Sequence, residues 1–201
     1  SIDEHGNAFN LMRYGDWKLA DLMTFKIIGQ PGVFMRREVL EQAGYLDLSY
    51  NYLLDVQLWL RVAAIAEPCY VPEAVWAAAR IHTNAKNVAH AQDFGAEAFR
   101  LAKWICETEQ FYPLSSKLFK KVWAGAHRLN AFYLVEAGQF KPALRSYAKM
   151  LRLAPSSAKG ALRRMGYAAL GSLGAQNLRL SYDKWRLDRY HKRVGKEADS
   201  D

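Results

Sequence analysis

One carboxylate stands at the mouth of an apolar helical pattern. Asp55 begins a predicted helix over residues 55–66 whose apolar residues share one face: Leu58, Trp59, Val62 and Ile65. A carboxylate in this position is placed where a general base would act. The alternative is that Asp55 serves as the N-cap of its helix, a position that favours Asp, and the two roles are compatible. Trp59 lies at the centre of the apolar face, which favours a core position over a sugar-stacking platform.

Short elements surround this helix in the first ninety residues. The pattern predicts a short capped helix at 16–23, a helix at 36–43 with Gly44 as its C-cap, and strands at 69–71 and 75–81. Short strands, short helices and many loops indicate an α/β layer assembled around a site.

Beyond residue 90 the pattern changes to long helices. Periodicity of 3.6 residues predicts helices at 94–109, 115–137 and 141–153 and a helical stretch from 158 toward 193. We therefore expect two domains, an α/β domain at 1–90 and an all-α extension at 91–201.

The helical region contains one unit with the spacing of a tetratricopeptide repeat, formed by Ala131, Gly138, Ala143, Tyr147 and Pro155. In this interpretation Gly138 allows two helices to turn, Ala143 allows them to approach, and Pro155 ends the second helix. Because a free-standing solenoid needs at least three repeats, a helical hairpin packed on its neighbours is favoured over an independent peptide-binding array.

The positive charge is concentrated in the second half of the chain. Residues 1–90 contain 8 Lys and Arg against 10 Asp and Glu, whereas residues 91–201 contain 20 against 10. This asymmetry favours an anionic partner such as a phospholipid surface or a polyphosphate, or alternatively a merely solvated basic face. No nucleic-acid reader motif is present, so no nucleic-acid partner is expected.

Composition limits the class of protein. A hydrophobic content of 51% is typical of a globular protein. No window approaches eighteen consecutive apolar residues, and the first residues lack the regions of a signal peptide. Cys69 and Cys106 lack metal-ligand spacing and are expected to be reduced, buried and inert, as suits a cytoplasmic protein.

Six segments in order resemble the C-terminal half of a family 2 glycosyltransferase, a GT-A type, inverting enzyme. These segments lie at residues 1–7, 30–37, 43–47, 55–61, 71–72 and 80–86. The resemblance implies a partial nucleotide-diphospho-sugar transferase fold and transfer of a sugar from a nucleotide diphosphate to an acceptor hydroxyl with inversion. The donor-binding half with its paired aspartates would precede Ser1, so the chain is expected to be incomplete and inactive alone.

The resemblance also implies roles for individual residues. Asp55 matches the position of the general base, although Leu54 replaces the acidic residue that usually precedes it. Arg80, His82 and Lys86 match a segment that closes over the donor diphosphate, where cations stabilise the leaving group. Arg80 and Lys86 are alternatively surface charges, and His82 alone is a weak metal ligand.

The remaining implied roles concern the acceptor and the cofactor. The acceptor side would be lined by Gln30, Pro31, Gly32 and Phe34. Gln30 would offer an amide, Pro31 and Gly32 would bring the backbone close, and Phe34 would form an apolar wall. A divalent metal, Mg or Mn, is expected for the complete enzyme, with its main ligands outside this chain. Asp47 either orients the loop before the base or is only a turn residue.

The C-terminal stretch 158–193 mixes apolar and basic residues. This mixture is suited to an interfacial helix on anionic lipid, which would bring the enzyme to a lipid-linked or sugar acceptor at the inner face of the membrane. The alternative is that these helices pack on the catalytic domain and expose basic edges. A second function class is a noncatalytic helical adaptor that binds an anionic partner or a membrane surface.

Overall fold

The described part of the chain is helical, and the α/β prediction is wrong for it. The computed structural model describes residues 1–2, 5–8, 11–72, 75–80 and 93–174. Of these residues 65% are helical, and no strand or sheet occurs among them. Ile2 forms isolated bridges with Ala8 and Arg80. The partial GT-A fold is therefore not seen in the part of the chain that the structure describes.

The two predicted strands have no partner strand within the described part of the chain. The described residues of 69–71 and 75–81 form no ladder, and the only pairing there is the single bridge at Arg80. Tyr70, Val71, Val75 and Trp76 are exposed. A short apolar run forms a strand only where a neighbouring strand accepts its backbone hydrogen bonds, and sequence alone does not supply that neighbour. Cys69, which was predicted to be buried, is exposed as well.

Three short helices form the first part of the chain: α1 (Leu19–Met23), α2 (Arg37–Ala43) and α3 (Leu54–Ile65). The predicted C-cap of α2 is confirmed, because Gly44 follows it with φ 76°. The left-handed region favours glycine since a Cβ would clash there. A 3₁₀ turn, Gln30–Gly32, lies between α1 and α2.

Within residues 93–174 the structure describes four further helices: α4 (Asp93–Glu107), α5 (Tyr112–Glu136), α6 (Phe140–Leu153) and α7 (Leu162–Ser172). Two 3₁₀ turns separate them, Glu109–Phe111 and Pro155–Gly160. The first three helices of this part agree with the predicted bounds to within a few residues. A helical stretch was predicted from residue 158 toward 193. In the structure α7 ends at Ser172, and residues 175–193 lie outside the described part.

Helix α5 connects two apolar cores. Its first half packs with α1, α3 and α4 around a core that contains Leu60, Leu101 and Val122. Its second half packs with α6 and α7 around Ala131 and Tyr147. With 25 residues, α5 is about 38 Å long, which is enough to support both cores.

The α5–α6 hairpin has the geometry expected of its glycine. Gly138 has φ 72°, and the neighbouring Gln139 N–H donates to Leu134 O at 2.8 Å. This bond is the one that closes a Schellman turn at the end of α5. Ala143 is fully buried where α6 approaches α5. None of the helices in the described ranges combines the length and the apolar character that crossing a bilayer requires.

Candidate active site around Asp55

Asp55 lies in the first turn of α3 at the side of an open hollow of about 520 Å³. Gln30 contributes a second polar side chain to the hollow, and the other lining residues are mainly apolar: Val33, Met35, Leu40, Leu58 and Trp59 among them. The hollow is thus an apolar pocket that holds one carboxylate and one amide. Its volume falls in the range of small-molecule sites.

Partial burial makes the Asp55 carboxylate more basic than usual. The loss of hydration raises its pKa above the ordinary value, because burial penalises the charged form. Hydrogen bonds act in the opposite direction, and the clearest is the Val56 N–H, which donates to Asp55 Oδ1 at 2.8 Å. Leu53, not Asp55, is the N-cap residue of α3. The N-cap alternative is therefore replaced by a first-turn position in which Asp55 binds one free helical N–H.

The negative charge of Asp55 affects the pKa of two tyrosine hydroxyls. Burial, and secondly the negative charge of Asp55, raise the pKa of Tyr133 to about 12. Burial likewise raises the pKa of Tyr14, with Asp55 adding to the effect. Tyr133 is held in place by stacking on Phe94, with the ring centroids 4.0 Å apart. Both phenols therefore stay protonated at neutral pH and leave Asp55 as the group that can exchange a proton.

Glu97 of α4 fixes the loop that leads into α3. One carboxylate oxygen accepts the Asn51 N–H at 2.7 Å, and the other accepts the N–H groups of Tyr52 and Leu53, both at 2.8 Å. Glu97 as a residue is only 9% exposed. These N–H groups precede α3 and have no helical partner, so Glu97 acts as a cap supplied from another helix. The position of Asp55 depends on this contact.

Arg100 holds the same loop one helical turn further along α4. Its Nη2 donates to Ser49 O at 2.7 Å, and its guanidinium lies 3.7 Å from the ring centroid of Tyr50. Asp47 forms a turn by accepting the Ser49 N–H at 2.9 Å, which lowers the pKa of Asp47. Asp47 is thus a turn residue of the loop before Asp55, as one of its two predicted roles required.

Arg61 connects α3 to the rim of the hollow. Its guanidinium donates to the carbonyls of Ala43, Gly44 (3.0 Å) and Tyr45 (2.6 Å) at the end of α2. Its Nε donates to Gln57 Oε1 at 3.0 Å, which fixes the side chain along the helix. A cation that satisfies the last carbonyls of a helix stabilises its C-terminus. This contact holds Tyr45 at the edge of the hollow.

The predicted acceptor residues are only partly brought together. Gln30 lines the hollow with Asp55, whereas Pro31, Gly32 and Phe34 are not among its lining residues. Phe34 is 77% exposed and contacts Trp76 edge to face, with ring centroids 6.1 Å apart. Phe34 therefore does not form the predicted apolar wall of the hollow beside Asp55.

Trp59 is buried in the core, as predicted, and it also forms part of the wall of the hollow. Its indole N–H donates to Ile28 O at 3.3 Å and holds the chain segment before Gln30 against α3.

Of the three predicted donor residues only Arg80 is described, and it does not join Asp55. Arg80 is exposed, and it is not among the described residues that line the hollow. His82 and Lys86 lie outside the described residues. Among those that are described, no three His, Cys, Asp or Glu side chains are grouped so that they could hold a metal ion. The divalent metal stays a prediction, because its main ligands were expected outside this chain and His82 is not among the described residues.

A hydrogen-bonded serine and histidine between α5 and α6 are structural. Ser146 Oγ donates to His127 O at 3.0 Å and lies 3.2 Å from His127 Nδ1. It also accepts from Asn130 Nδ2 at 2.9 Å. Because the hydroxyl proton is used on a backbone carbonyl, Nδ1 acts as the donor and cannot activate Ser146. Ser146 is also only 5% exposed, which leaves no access for a substrate.

No protein-family model, curated protein or solved structure matches this chain.

Proposed function

We propose that this chain binds the acceptor of a glycosyl transfer in the Asp55 hollow and that Asp55 is the general base. The observation that carries the proposal is a carboxylate with a pKa raised by burial, beside the amide of Gln30, in an apolar hollow of about 520 Å³. A carboxylate of raised pKa accepts a proton more readily at the moment of attack.

The reaction balances with Asp55 as the proton acceptor. The acceptor hydroxyl oxygen attacks the anomeric carbon, its proton passes to Asp55, and the bond from the anomeric carbon to the nucleotide diphosphate breaks with inversion. The base must lie within about 3 Å of the hydroxyl, directly or through one water. Arg80, His82 and Lys86 remain the proposed partners of the departing diphosphate, because cations favour its release.

The other walls of the hollow suit a sugar ring. Gln30 offers a donor and an acceptor to ring hydroxyls. The indole N–H of Trp59 is already bonded to Ile28 O, so Trp59 adds apolar surface against which C–H groups can pack. Tyr45 and Leu46 extend this apolar surface at the rim.

Binding of saccharides tests the proposal. We expect ligand-observed saturation-transfer NMR with a panel of neutral saccharides to detect a binder. Gln30→Ala should weaken its binding about tenfold, as the loss of a neutral hydrogen bond does. Glu41→Gln is the matched control, since Glu41 lies on α2 beside the lining residue Leu40 but is itself exposed and absent from the hollow.

The pH dependence of saccharide binding tests whether Asp55 faces the acceptor. The chain is expected to be inactive without a donor-binding half, so binding is measured instead of nucleotide diphosphate release. A saccharide hydroxyl that donates to the Asp55 carboxylate should bind more tightly as the pH rises through the Asp55 pKa, and Asp55→Asn should remove this dependence. Failure of every saccharide to bind, or equal loss of affinity in Gln30→Ala and Glu41→Gln, would refute the acceptor site. An unchanged pH dependence in Asp55→Asn would refute the contact between Asp55 and the acceptor, and with it the role of the base.

A further inference from the structure

A second cavity, distinct from the Asp55 hollow, lies where three elements meet. The end of α1, the side of α5 and the 3₁₀ turn Pro155–Gly160 enclose about 430 Å³. Its volume is sufficient for a small organic ligand. None of its lining residues lines the Asp55 hollow.

Three cationic side chains line this cavity: Lys121 and Arg128 from α5, and Lys26 from the segment after α1. Asp21 is the only carboxylate among its described lining residues, and it pairs with Lys26 at 2.6 Å. Three positive charges thus face one negative charge. The excess is close to the charge of −1.5 to −2 that a phosphate monoester carries at pH 7.

Arg128 is the central group of this arrangement. Its Nη2 donates to Phe25 O at 2.8 Å and to Thr24 O at 3.4 Å, and both of these partners are neutral. Among the residues that the structure describes, no carboxylate pairs with Arg128. Burial lowers its pKa, which reports that its charge is desolvated without full compensation. Its Nε and Nη1 atoms make no hydrogen bond within the described residues, and guanidinium donors of this kind match phosphate oxygens.

The remaining lining groups add hydroxyls and open space. Ser156 and Ser157 come from the 3₁₀ turn, and hydroxyl groups are common partners of phosphate oxygens. Gly125 brings the backbone of α5 close to the chain at Thr24, so closely that a Cβ at Gly125 would clash with Thr24 O. Glycine at this position thus permits the close approach of α5 to the segment after α1.

We propose that this cavity binds the phosphate group of a small phosphate monoester. Arg128 supplies a partly buried fork, Lys121 and Lys26 neutralise the second charge, and the serines complete the shell. The proposal is independent of the Asp55 hollow. It depends only on the positions of α1, α5 and the 3₁₀ turn.

Glycerol 3-phosphate is a suitable soluble probe. We expect saturable binding by isothermal titration calorimetry that weakens as NaCl is added, because the contacts are ionic. Lys121→Ala should weaken binding about fivefold, the scale of one partly exposed charge pair. Lys121 is exposed and makes no ion pair or hydrogen bond within the described residues, so its replacement should leave the circular dichroism spectrum and thermal midpoint unchanged.

Lys120→Ala is the matched control, since Lys120 is the exposed neighbour on α5 and does not line the cavity. A second arm replaces glycerol 3-phosphate by phosphatidylcholine vesicles that contain phosphatidic acid. Binding of either probe that falls with Lys121→Ala and not with Lys120→Ala supports the phosphate site and identifies a soluble or a lipid source. Absence of binding to both probes, or an equal effect of the two lysine variants, overturns the proposal.

Discussion

Removal of the Glu97 carboxylate should release the loop that positions Asp55. In Glu97→Ala the N–H groups of Asn51, Tyr52 and Leu53 lose their common acceptor. Leu53 is buried, so water cannot replace the carboxylate there without opening the structure. Asn51 is exposed, and its N–H can turn to solvent. The expected loss is therefore large but smaller than three full hydrogen bonds.

The magnitude follows from the number and kind of bonds. A hydrogen bond to a charged group contributes about 1.5–3 kcal/mol, and the three bonds share one carboxylate, so their values do not add. We expect Glu97→Ala to reduce the free energy of unfolding by about 3–5 kcal/mol. Glu97→Gln keeps one carbonyl oxygen and places an NH₂ group against an N–H donor, so it should lose about 1–3 kcal/mol.

Urea denaturation followed by circular dichroism measures these differences. Glu107→Ala is the control on the same helix, because Glu107 is exposed and its ion pair with Lys103 is long, at 3.8 Å. Such a pair contributes at most about 1 kcal/mol. Amide hydrogen exchange should show lost protection at Leu53 in Glu97→Ala before the rest of α3 is affected. Equal stability of Glu97→Ala and Glu107→Ala would refute the capping role.

Three further outcomes follow from the structure. Since burial raises the Asp55 pKa above its ordinary 3.8, the native state holds this proton more tightly than the unfolded chain and loses stability as the pH rises from about 3.8 through the native pKa. Asp55→Asn should therefore remove this loss, so that the variant is more stable than the wild type at pH 7 but not at pH 4. Thermal unfolding across that pH range measures the difference, and a parallel pH dependence of the two proteins would contradict the raised pKa. Gly125→Ala should reduce the free energy of unfolding by about 1–3 kcal/mol, because its Cβ meets the backbone at Thr24, and urea denaturation with Gly166→Ala as the uncrowded control would measure this. Arg61→Met should leave the carbonyls after α2 without donors and cost about 1–3 kcal/mol, measured in the same way; a loss below 0.5 kcal/mol would contradict the contact.

The helices were predictable because their signals are local. Gly44 after α2 and Gly138 after α5 both have positive φ, and glycine is the residue that sequence reasoning expects there. The bounds of α3 and α6 followed from apolar residues spaced by 3.6. A pattern of this kind is carried within one element and needs no knowledge of its neighbours.

The Glu97 cap was not predictable because its partners are distant in the chain. Glu97 and Asn51 are separated by 46 residues, and a single Glu in a helical pattern is typical of a solvent face. The same holds for Arg128, whose carbonyl partners lie more than 100 residues before it. Within the sequence, neither residue differs from the many basic and acidic residues that point to water.

The strand prediction failed for a related reason. The run at 69–71 has the composition of a strand, but a strand forms only beside a partner strand. The resemblance to a sheet-containing family led us to expect such a partner, and the described residues contain none. The base role of Asp55 stays a prediction, because it came from the same resemblance. The hollow and the raised pKa of Asp55 are compatible with that role, and neither depends on a sheet.

The charged Asp55 carboxylate lowers the stability of the folded state, and this effect bears on its role. A carboxylate of raised pKa destabilises the folded state at neutral pH, since the charged form is poorly solvated there. Asparagine could accept the same Val56 N–H through its carbonyl oxygen and would carry no charge. The charge gains some stabilisation from its place in the first turn of α3, yet the raised pKa indicates that desolvation outweighs this gain. A carboxylate that lowers stability, lies beside a hollow and can exchange a proton is therefore consistent with the proposed base role.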